Sequence, residues 1–197
     1  MVNDHAYVIG NGTSRLGIDL RTLGSGTVIG CNALYRDFAP DYDLPHILVA
    51  IDDPITDEIN ASDFPEDRFF HAEWEDQHEP MAMHRSNVVP RSNAGCFAIQ
   101  TAIREGYTRL TCLGLDFLVV DQDQAVSNVY DGSNAYGQEQ RASNADSRAR
   151  MGFLGHLIEN NPDISFEFLY PDALSVYEPD AKNCRIIRFS DLVKTYK

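Results

Sequence analysis

The feature of this 197-residue sequence that most constrains its fold is a series of short apolar runs separated by longer segments. The runs occupy residues 6–9, 27–29, 47–51, 110–113, 164–169 and, as a short last one, 185–189. Strands that are buried on both faces of a sheet read as continuous apolar runs of this kind. The pattern therefore predicts an α/β fold: a three-layer, Rossmann-like, mostly parallel sheet with helices on both faces.

Three of the intervening segments have the apolar spacing or the end signals of helices. They are residues 14–23, 96–105 and 149–159. A chain of this length fits one domain, so we expect residues 1–197 to form a single α/β domain.

Composition limits the classes of partner. The formal net charge is −14, which makes nucleic acid an unlikely partner because such proteins normally present a basic surface. No apolar run approaches the ~20 residues that span a bilayer, and the first residues lack a signal-peptide pattern. Four cysteines without close spacing favour reduced thiols. We therefore expect a cytoplasmic protein.

Two long polar stretches interrupt the pattern. Residues 63–90 contain several histidines and carboxylates, but without metal-ligand spacing, so a solvated acidic loop is the better interpretation and no metal site is predicted. Residues 121–147 are rich in Asn, Gln, Ser and Gly and carry Tyr130 and Tyr136. An irregular insertion of this length is typical of a lid or a flexible loop.

A glycine-rich turn follows the first apolar run and precedes the first predicted helix. Gly10 and Gly12 would allow positive φ and a close approach of a phosphate to the backbone. A helix N-terminus would add free N–H groups, and Thr13 or Ser14 could cap that helix or donate to a phosphate oxygen. An ordinary tight turn between a strand and a helix is the alternative.

Polar turns also follow other runs. Asn32 could present a donor and an acceptor to a base or ribose, or form an Asx-type turn. A carboxylate in Asp52-Asp53-Pro54 could bind ribose, or begin a helix. Residues 91–95 open a helix and offer further N–H donors to a phosphate or carboxylate. Because parallel strands bind ligands at their carboxyl ends, we expect one site there.

The motifs GNGTS, Cys31-Asn32, the small-residue turn before Gly95, Glu105-Gly106-Tyr107 and residues 113–117 follow one another along the chain. In this order they resemble the small bacterial sialyltransferases of lipooligosaccharide synthesis, which have one Rossmann-like domain and use a CMP-activated sugar. The resemblance covers about residues 7–175. It is shared more loosely by other nucleotide-binding proteins whose first loop is of the GNGPS type.

The resemblance implies roles for individual residues. Those that would hold the nucleotide are Gly10, Asn11, Gly12, Ser14, Asn32, Asp53, Asn93, Ala94 and Gly95. Residues 121–147 would be the lid, in which Tyr130 and Tyr136 would help to hold the leaving phosphate. The resemblance calls for no metal or other cofactor, because the nucleotide-sugar donor is a substrate.

Two positions depart from the family. Its catalytic histidine is missing, and counting back from residues 170–171 places Asp146 at or near that position, with Arg148 beside it. An aspartate could act as the general base, although its usual pKa makes it a weaker base than histidine at neutral pH. The second departure is Ala94, which stands where the family has serine.

The sequence therefore predicts a glycosyltransferase that passes a sugar from a nucleotide donor, a CMP-sugar being favoured, to a glycan or another hydroxyl acceptor. Two alternatives stay open. One is a nucleotide-binding protein without catalysis, which the missing histidine favours. The other is a phosphoryl or pyrophosphoryl transferase on the same scaffold, which would need cationic clamps around the phosphates.

Overall fold

The computed structural model describes residues 4–71, 92–120, 127–137 and 143–191. In these residues seven strands form one parallel sheet with the order β4-β3-β2-β1-β5-β6-β7. The strands are β1 (His5–Ile9), β2 (Thr27–Cys31), β3 (Ile47–Ala50), β4 (Phe69–His71), β5 (Arg109–Leu113), β6 (Ser165–Tyr170) and β7 (Cys184–Arg188). The predicted Rossmann-like α/β fold is confirmed.

The order of the strands reverses beside β1. The chain builds outward from β1 to β4 and then returns to place β5 on the other side of β1, where Val8 is in register with Cys112. The chain that leaves β1 therefore continues to β2 on one side, and the chain that leaves β5 continues to β6 on the other. In parallel sheets a crevice for ligands opens at this point.

Three α-helices lie among the described residues: α1 (Asp53–Asn60), α2 (Ala94–Arg104) and α3 (Asn144–Asn160). The predicted helices at 96–105 and 149–159 correspond to α2 and α3. Helix α3 begins earlier than predicted because Ser143 and Asp146 form a capping box that fixes its first turn. The last residues of the predicted lid, 144–147, therefore belong to this helix.

The prediction of a helix over residues 14–23 is wrong. This segment contains two separate 3-10 turns, Thr13–Arg15 and Leu20–Thr22. Between them Gly17 has a φ of 93°, a left-handed conformation that interrupts any helix. The leucine spacing was misleading, because Leu16 is 57% exposed while Leu20 is buried.

Apolar side chains pack on both faces of the sheet, which explains the continuous runs in the sequence. On one face α2 and α3 bury Val8 and Cys112. On the other face α1 and a 3-10 helix, Asn32–Phe38, bury Ile9 and Leu113. Successive strand residues thus meet different layers. No helix in the described parts of the chain has both the length and the apolar character to cross a bilayer.

The cysteines are free thiols, as the sequence predicts. Cys31, Cys96 and Cys112 are buried, and Cys184 is partly buried. Burial raises the pKa of Cys31 and of Cys96 to about 12. At neutral pH these side chains are therefore neutral packing groups.

Candidate functional site

A cavity of about 500 Å³ opens at the carboxyl ends of β1 and β5, where the strand order reverses. Nine residues that the sequence singles out line it: Gly10, Asn11, Gly12, Asn32, Asn93, Ala94, Gly95, Tyr136 and Asp146. Four others do not: Ser14, Asp53, Tyr130 and Arg148. The fold thus gathers most of the predicted site residues around one cavity. In place of Asp53 and Arg148, the nearby residues Asp52 and Arg150 line it.

The two glycines of the first turn serve the packing of the chain itself. The Gly10 amide donates to the carbonyl oxygen of Leu113 at 2.7 Å, and the Gly12 amide donates to that of Gly114 at 2.9 Å. A Cβ on Gly10 would overlap the Gly114 carbonyl, and one on Gly12 would overlap the Asp116 carboxylate. Gly12 has a φ of −66°, so positive φ is not the reason for glycine there.

Ser14 is bonded to a buried carboxylate at the edge of the cavity. Its amide donates to Asp116 Oδ2 at 3.0 Å, and its hydroxyl donates to Oδ1 of the same side chain. Burial raises the pKa of Asp116, although hydrogen bonds from Ser14 and Thr13 act against the shift. Since only a single 3-10 turn follows, this loop is not the N-terminus of a helix.

Two asparagines and a tyrosine form another part of the cavity. The Asn11 amide donates to the Tyr136 hydroxyl at 3.1 Å, and Asn32 lines the cavity beside this pair. Burial raises the pKa of Tyr136. The Oδ1 atoms of Asn11 and Asn32 are buried and accept no hydrogen bond from the described residues. The Asx-turn interpretation of Asn32 is therefore wrong, because that turn requires Oδ1 as an acceptor.

The carboxylate at the end of β3 that reaches the cavity is Asp52. Helix α1 begins at Asp53 with Pro54 in its first turn, as the helix interpretation of this motif predicts. Asp52 precedes the helix in an extended conformation, and its side chain makes no capping hydrogen bond. Asp52 lines the cavity and Asp53 does not, so the one-residue difference decides which of them can meet a ligand.

Helix α2 points its N-terminus at the cavity. The Asn93 side chain caps the helix by accepting from the Cys96 amide at 2.8 Å. The amides of the first residues, Ala94 and Gly95, have no acceptor within the helix. A Cβ on Gly95 would come within 2.6 Å of a Leu115 methyl group in the loop after β5, so a larger residue here would need that side chain to shift. Free N–H groups and the helix dipole make this end suitable for an anion.

Helix α3 contributes Asp146 and Arg150, four residues apart and so on one face of the helix. Arg148 lies between them, on a different face, and is exposed. Asp146 Oδ2 accepts the Ser143 amide at 2.9 Å and the Ser143 hydroxyl at 2.8 Å. The charge of Arg150 acts on Cys96 in the first turn of α2, where it opposes the rise in thiol pKa that burial causes.

Residues 127–137, called the strap below, lie along the opposite side of the cavity. The Val129 amide donates to the Asn11 carbonyl at 2.8 Å, and Asn128 forms an antiparallel bridge with Gly12. Asn128, Asp131 and Tyr136 line the cavity. The remaining parts of the predicted lid, residues 121–126 and 138–142, lie outside the described residues.

Two arginines hold the strap in place. Arg15 donates to the Tyr130 hydroxyl at 2.9 Å and pairs with Asp37 at 2.8 Å. Arg36 donates to Ser133 Oγ at 2.7 Å and to the Asn134 carbonyl at 3.0 Å. Tyr130 therefore fixes the strap from outside the cavity.

Glu58 on α1 completes this arrangement. It pairs with Arg36 at 2.6 Å and accepts hydrogen bonds from Tyr35 and from the strap residue Asn134. Burial alone would raise the pKa of Glu58, but these donors outweigh it and hold the pKa below its usual value. The strap is thus anchored to α1 as well as to the loop after β1.

The cavity residues that received no role from the sequence include Asp116, Asn128, Asp131 and Arg150. Arg150 lies one helical turn after Asp146, so a helix predicted to begin near residue 144 would have placed the two on one face. Among the described residues, no three His, Cys, Asp or Glu side chains gather as a metal site. Most of the acidic stretch, from residue 72 to residue 90, lies outside the described residues.

Comparisons with protein-family models, curated proteins and solved structures find no match for this chain. We therefore infer the function of the cavity from its own residues. Its place at the reversal of strand order is where parallel α/β sheets bind ligands.

Proposed function

We propose that this chain is a glycosyltransferase that takes a nucleotide-activated sugar as donor and a hydroxyl compound, such as a glycan, as acceptor. The observation that carries the proposal is that the cavity has two chemically different walls, one suited to an anion and one lined by polar side chains. The helix wall consists of Ala94, Gly95 and Arg150. The other wall, called the strap wall, consists of the strap residues Asn128, Asp131 and Tyr136 together with Asn11 and Asn32.

The helix wall has the character of an anion site. Ala94 and Gly95, whose N–H groups have no acceptor within α2, line the same cavity as Arg150. A phosphate placed there would be stabilised most when the bond to the sugar breaks, because its negative charge then grows. We therefore assign the donor phosphate to α2, and not to the glycine turn, whose amides are used by the chain.

The strap wall suits the uncharged part of such a donor. Carbonyl oxygens of asparagine accept hydrogen bonds from hydroxyl and amino groups. Asp52, at the end of β3, adds a carboxylate of the kind that binds ribose hydroxyls in parallel α/β folds. One molecule that has both an anionic and a hydroxyl-rich part fits the two walls together.

The reaction is a direct displacement at the anomeric carbon. The bond from this carbon to the phosphate oxygen breaks, and a bond to the acceptor oxygen forms. Asp146 takes the acceptor proton as general base, and the nucleotide leaves with the bonding electrons. The capping bonds from Ser143 hold the Asp146 carboxylate at the first turn of α3, beside the cavity.

The base of the donor is assigned from the sequence. The ordered motifs resemble those of the small bacterial sialyltransferases, which favours a CMP-sugar over UDP- and GDP-sugars. Asn32 and the loop after β1, which carry this resemblance, line the cavity.

A second candidate function is nucleotide binding without catalysis. The capping box favours it, because the bonds between Asp146 and Ser143 explain this carboxylate by helix stability alone. Both candidate functions require nucleotide binding, and only the transferase also releases the nucleotide from a sugar donor.

The test measures nucleotide release from CMP-, UDP- and GDP-sugars with a hydroxyl acceptor, and nucleotide binding by calorimetry. We expect release from a CMP-sugar and a loss of roughly 100-fold or more in Asp146→Asn. Asparagine keeps an oxygen for the Ser143 cap, so this variant should fold and bind nucleotide. Asp57→Asn makes the same charge change on α1, away from the cavity, and should leave release unchanged.

The outcomes separate the two candidates. Binding without release from any donor supports the non-catalytic function and contradicts the transferase. A folded protein that neither binds a nucleotide nor releases one contradicts both. Release that survives in Asp146→Asn contradicts the role of this residue as the base.

A further inference from the structure

The loop after β1 holds an anion that belongs to the chain itself, the carboxylate of Asp116. This side chain is only 5% exposed and comes from the loop after β5. Its Oδ2 accepts the Ser14 amide at 3.0 Å, and its Oδ1 accepts the Ser14 hydroxyl. Hydrogen bonds from Thr13 act on the same carboxylate. Donors from two successive residues of the loop after β1 therefore converge on one buried side chain.

This arrangement has the form of an anion-binding loop. Glycine-rich loops after the first strand of a parallel sheet bind a phosphate through N–H groups that converge on it. Gly12 shows what the loop accommodates here, because a Cβ on this residue would lie 2.2 Å from Cγ of Asp116. The space beside Gly12 is thus filled by a carboxylate of the protein.

The carboxylate also affects the cavity, since Asp116 is one of its lining residues. Both oxygens of Asp116 accept hydrogen bonds, as the oxygens of an ionised carboxylate do. A second anion placed near this loop would therefore be repelled. Arg150, which lines the cavity together with Gly95 at the start of α2, would attract it. The cavity thus disfavours an anion at one end and favours it at the other.

Resting on the proposed function, we propose that Asp116 is a positioning residue: it fills the anion site of the loop after β1 and so confines the donor phosphate to the start of α2. The loop keeps its shape without a ligand, because Asp116 satisfies donors that a phosphate would otherwise satisfy. Removal of this carboxylate should therefore open a second anion site at Ser14.

The first experiment replaces the missing carboxylate with a small one from solution. Asp116→Ala leaves the Ser14 donors without this acceptor and opens a space of the size of a carboxylate. We expect sodium formate to raise the unfolding temperature of this variant by about 2–4 °C, compared with sodium chloride at equal ionic strength. If Asp116→Ala is unfolded in chloride, recovery of the folded state in formate is the corresponding result.

Two variants control for general effects of formate. In Asp116→Asn the new side chain can accept from the Ser14 amide and donate to the Ser14 hydroxyl, so the site stays filled. Asp57→Ala removes an exposed carboxylate of α1 that does not line the cavity. Both controls should respond to the two salts as the unmodified protein does. An equal response of Asp116→Ala, or no recovery of its fold in formate, would overturn the inference.

The second experiment uses inorganic phosphate to locate the two anion sites. Phosphate should raise the unfolding temperature of the unmodified protein, and Arg150→Gln should lose most of this effect because it weakens the site at the start of α2. The double variant Asp116→Ala/Arg150→Gln should regain it, since phosphate can then bind the Ser14 donors. Asp116→Asn/Arg150→Gln is the matched control and should not regain it.

The outcomes distinguish this inference from the proposed function. A double variant with Asp116→Ala that phosphate does not stabilise would overturn the inference, while CMP binding by the unmodified protein would leave the proposed function standing. If neither CMP nor phosphate binds the unmodified protein, the proposed function fails and the role of Asp116 in positioning the donor fails with it. The formate experiment then still decides whether Asp116 fills an anion site.

Discussion

Gly10 and Gly114 pack backbone against backbone where β1 and β5 end, and a Cβ on either glycine would overlap the carbonyl oxygen of the other. The Gly10 amide donates to Leu113 in the same place, at 2.7 Å. This contact holds the two loops together at the floor of the cavity. The glycine turn therefore shapes the site by close packing of the chain against itself.

Gly10→Ala should destabilise the protein by about 1–3 kcal/mol, because a methyl group must be forced into a closely packed backbone contact. Gly155→Ala is the matched comparison, since Gly155 lies within α3 and a Cβ there meets nothing within 4 Å. That change should stabilise by about 0.5–1 kcal/mol, because alanine is the better helix former. Urea unfolding measures both, and a neutral Gly10→Ala would contradict the packing account.

The sheet was predictable because its signal is local. The inner strands β1, β2, β3, β5 and β6 are buried on both faces, so each one appears as an apolar run in the sequence. The edge strands are less buried, and β4 escaped prediction because it is only three residues long and Phe70 within it is 47% exposed. Such a short edge strand leaves no apolar run to detect.

The predictions that were wrong or incomplete concern local structure that is set by residues distant in the sequence. Residues 14–23 have leucines at helical spacing, but Ser14 is bonded to Asp116, a hundred residues away, and Gly17 turns the chain. The choice between Arg148 and Arg150 depends on the phase of α3, which its cap at Ser143 sets. The anchoring of the strap depends on Arg36 and Glu58, and no spacing along the sequence reveals that partnership.

The stability of the protein should fall as the pH decreases below 6.5, in part because of His5. Burial of this side chain and the nearby Arg109 charge lower its pKa, against Glu167 and Asp4. The unfolded chain then binds more protons than the folded one, so the stabilisation is complete above pH 6.5 and is lost progressively below it.

His5→Gln tests this, because glutamine can keep the hydrogen bond to the Thr111 hydroxyl, 2.9 Å from His5 Nε2, without titrating. Unfolding in urea between pH 7.5 and pH 5 should show a shallower pH dependence in this variant. Some dependence should remain, because the pKa of His46 is also lowered. Identical slopes for the two proteins would rule out His5 as a source.

The strap should loosen when its anchor on α1 is weakened. Glu58→Gln removes the charge that Arg36 meets at 2.6 Å and should cost about 1–2 kcal/mol of stability. Hydrogen exchange should rise in residues 127–137 while β1 and β5 stay protected. Asp43→Asn breaks a more exposed pair with Arg21, at 3.3 Å, and should change stability by less than about 1 kcal/mol. Equal exchange of the strap in both variants would show that Glu58 is not an anchor.

Arg150 and Arg148 give a direct comparison of two positions on α3. Arg150→Gln should weaken nucleotide binding by about 10–100-fold, because the phosphate loses a charged hydrogen-bond donor. Arg148→Gln should change the affinity by less than about 3-fold, since that side chain is exposed and does not line the cavity. Calorimetry with CMP measures both, and the reverse order of effects would contradict the position of the phosphate.

The central claim is that the cavity at the ends of β1 and β5 holds a mononucleotide with its phosphate at the start of α2. A crystal structure of the protein grown with saturating CMP tests this most directly. We predict the phosphate within hydrogen-bond distance of the Ala94 and Gly95 amides and of Arg150, with the nucleoside against Asn11 and Asn32. CMP bound elsewhere, or a cavity that stays empty at saturation, would contradict the claim.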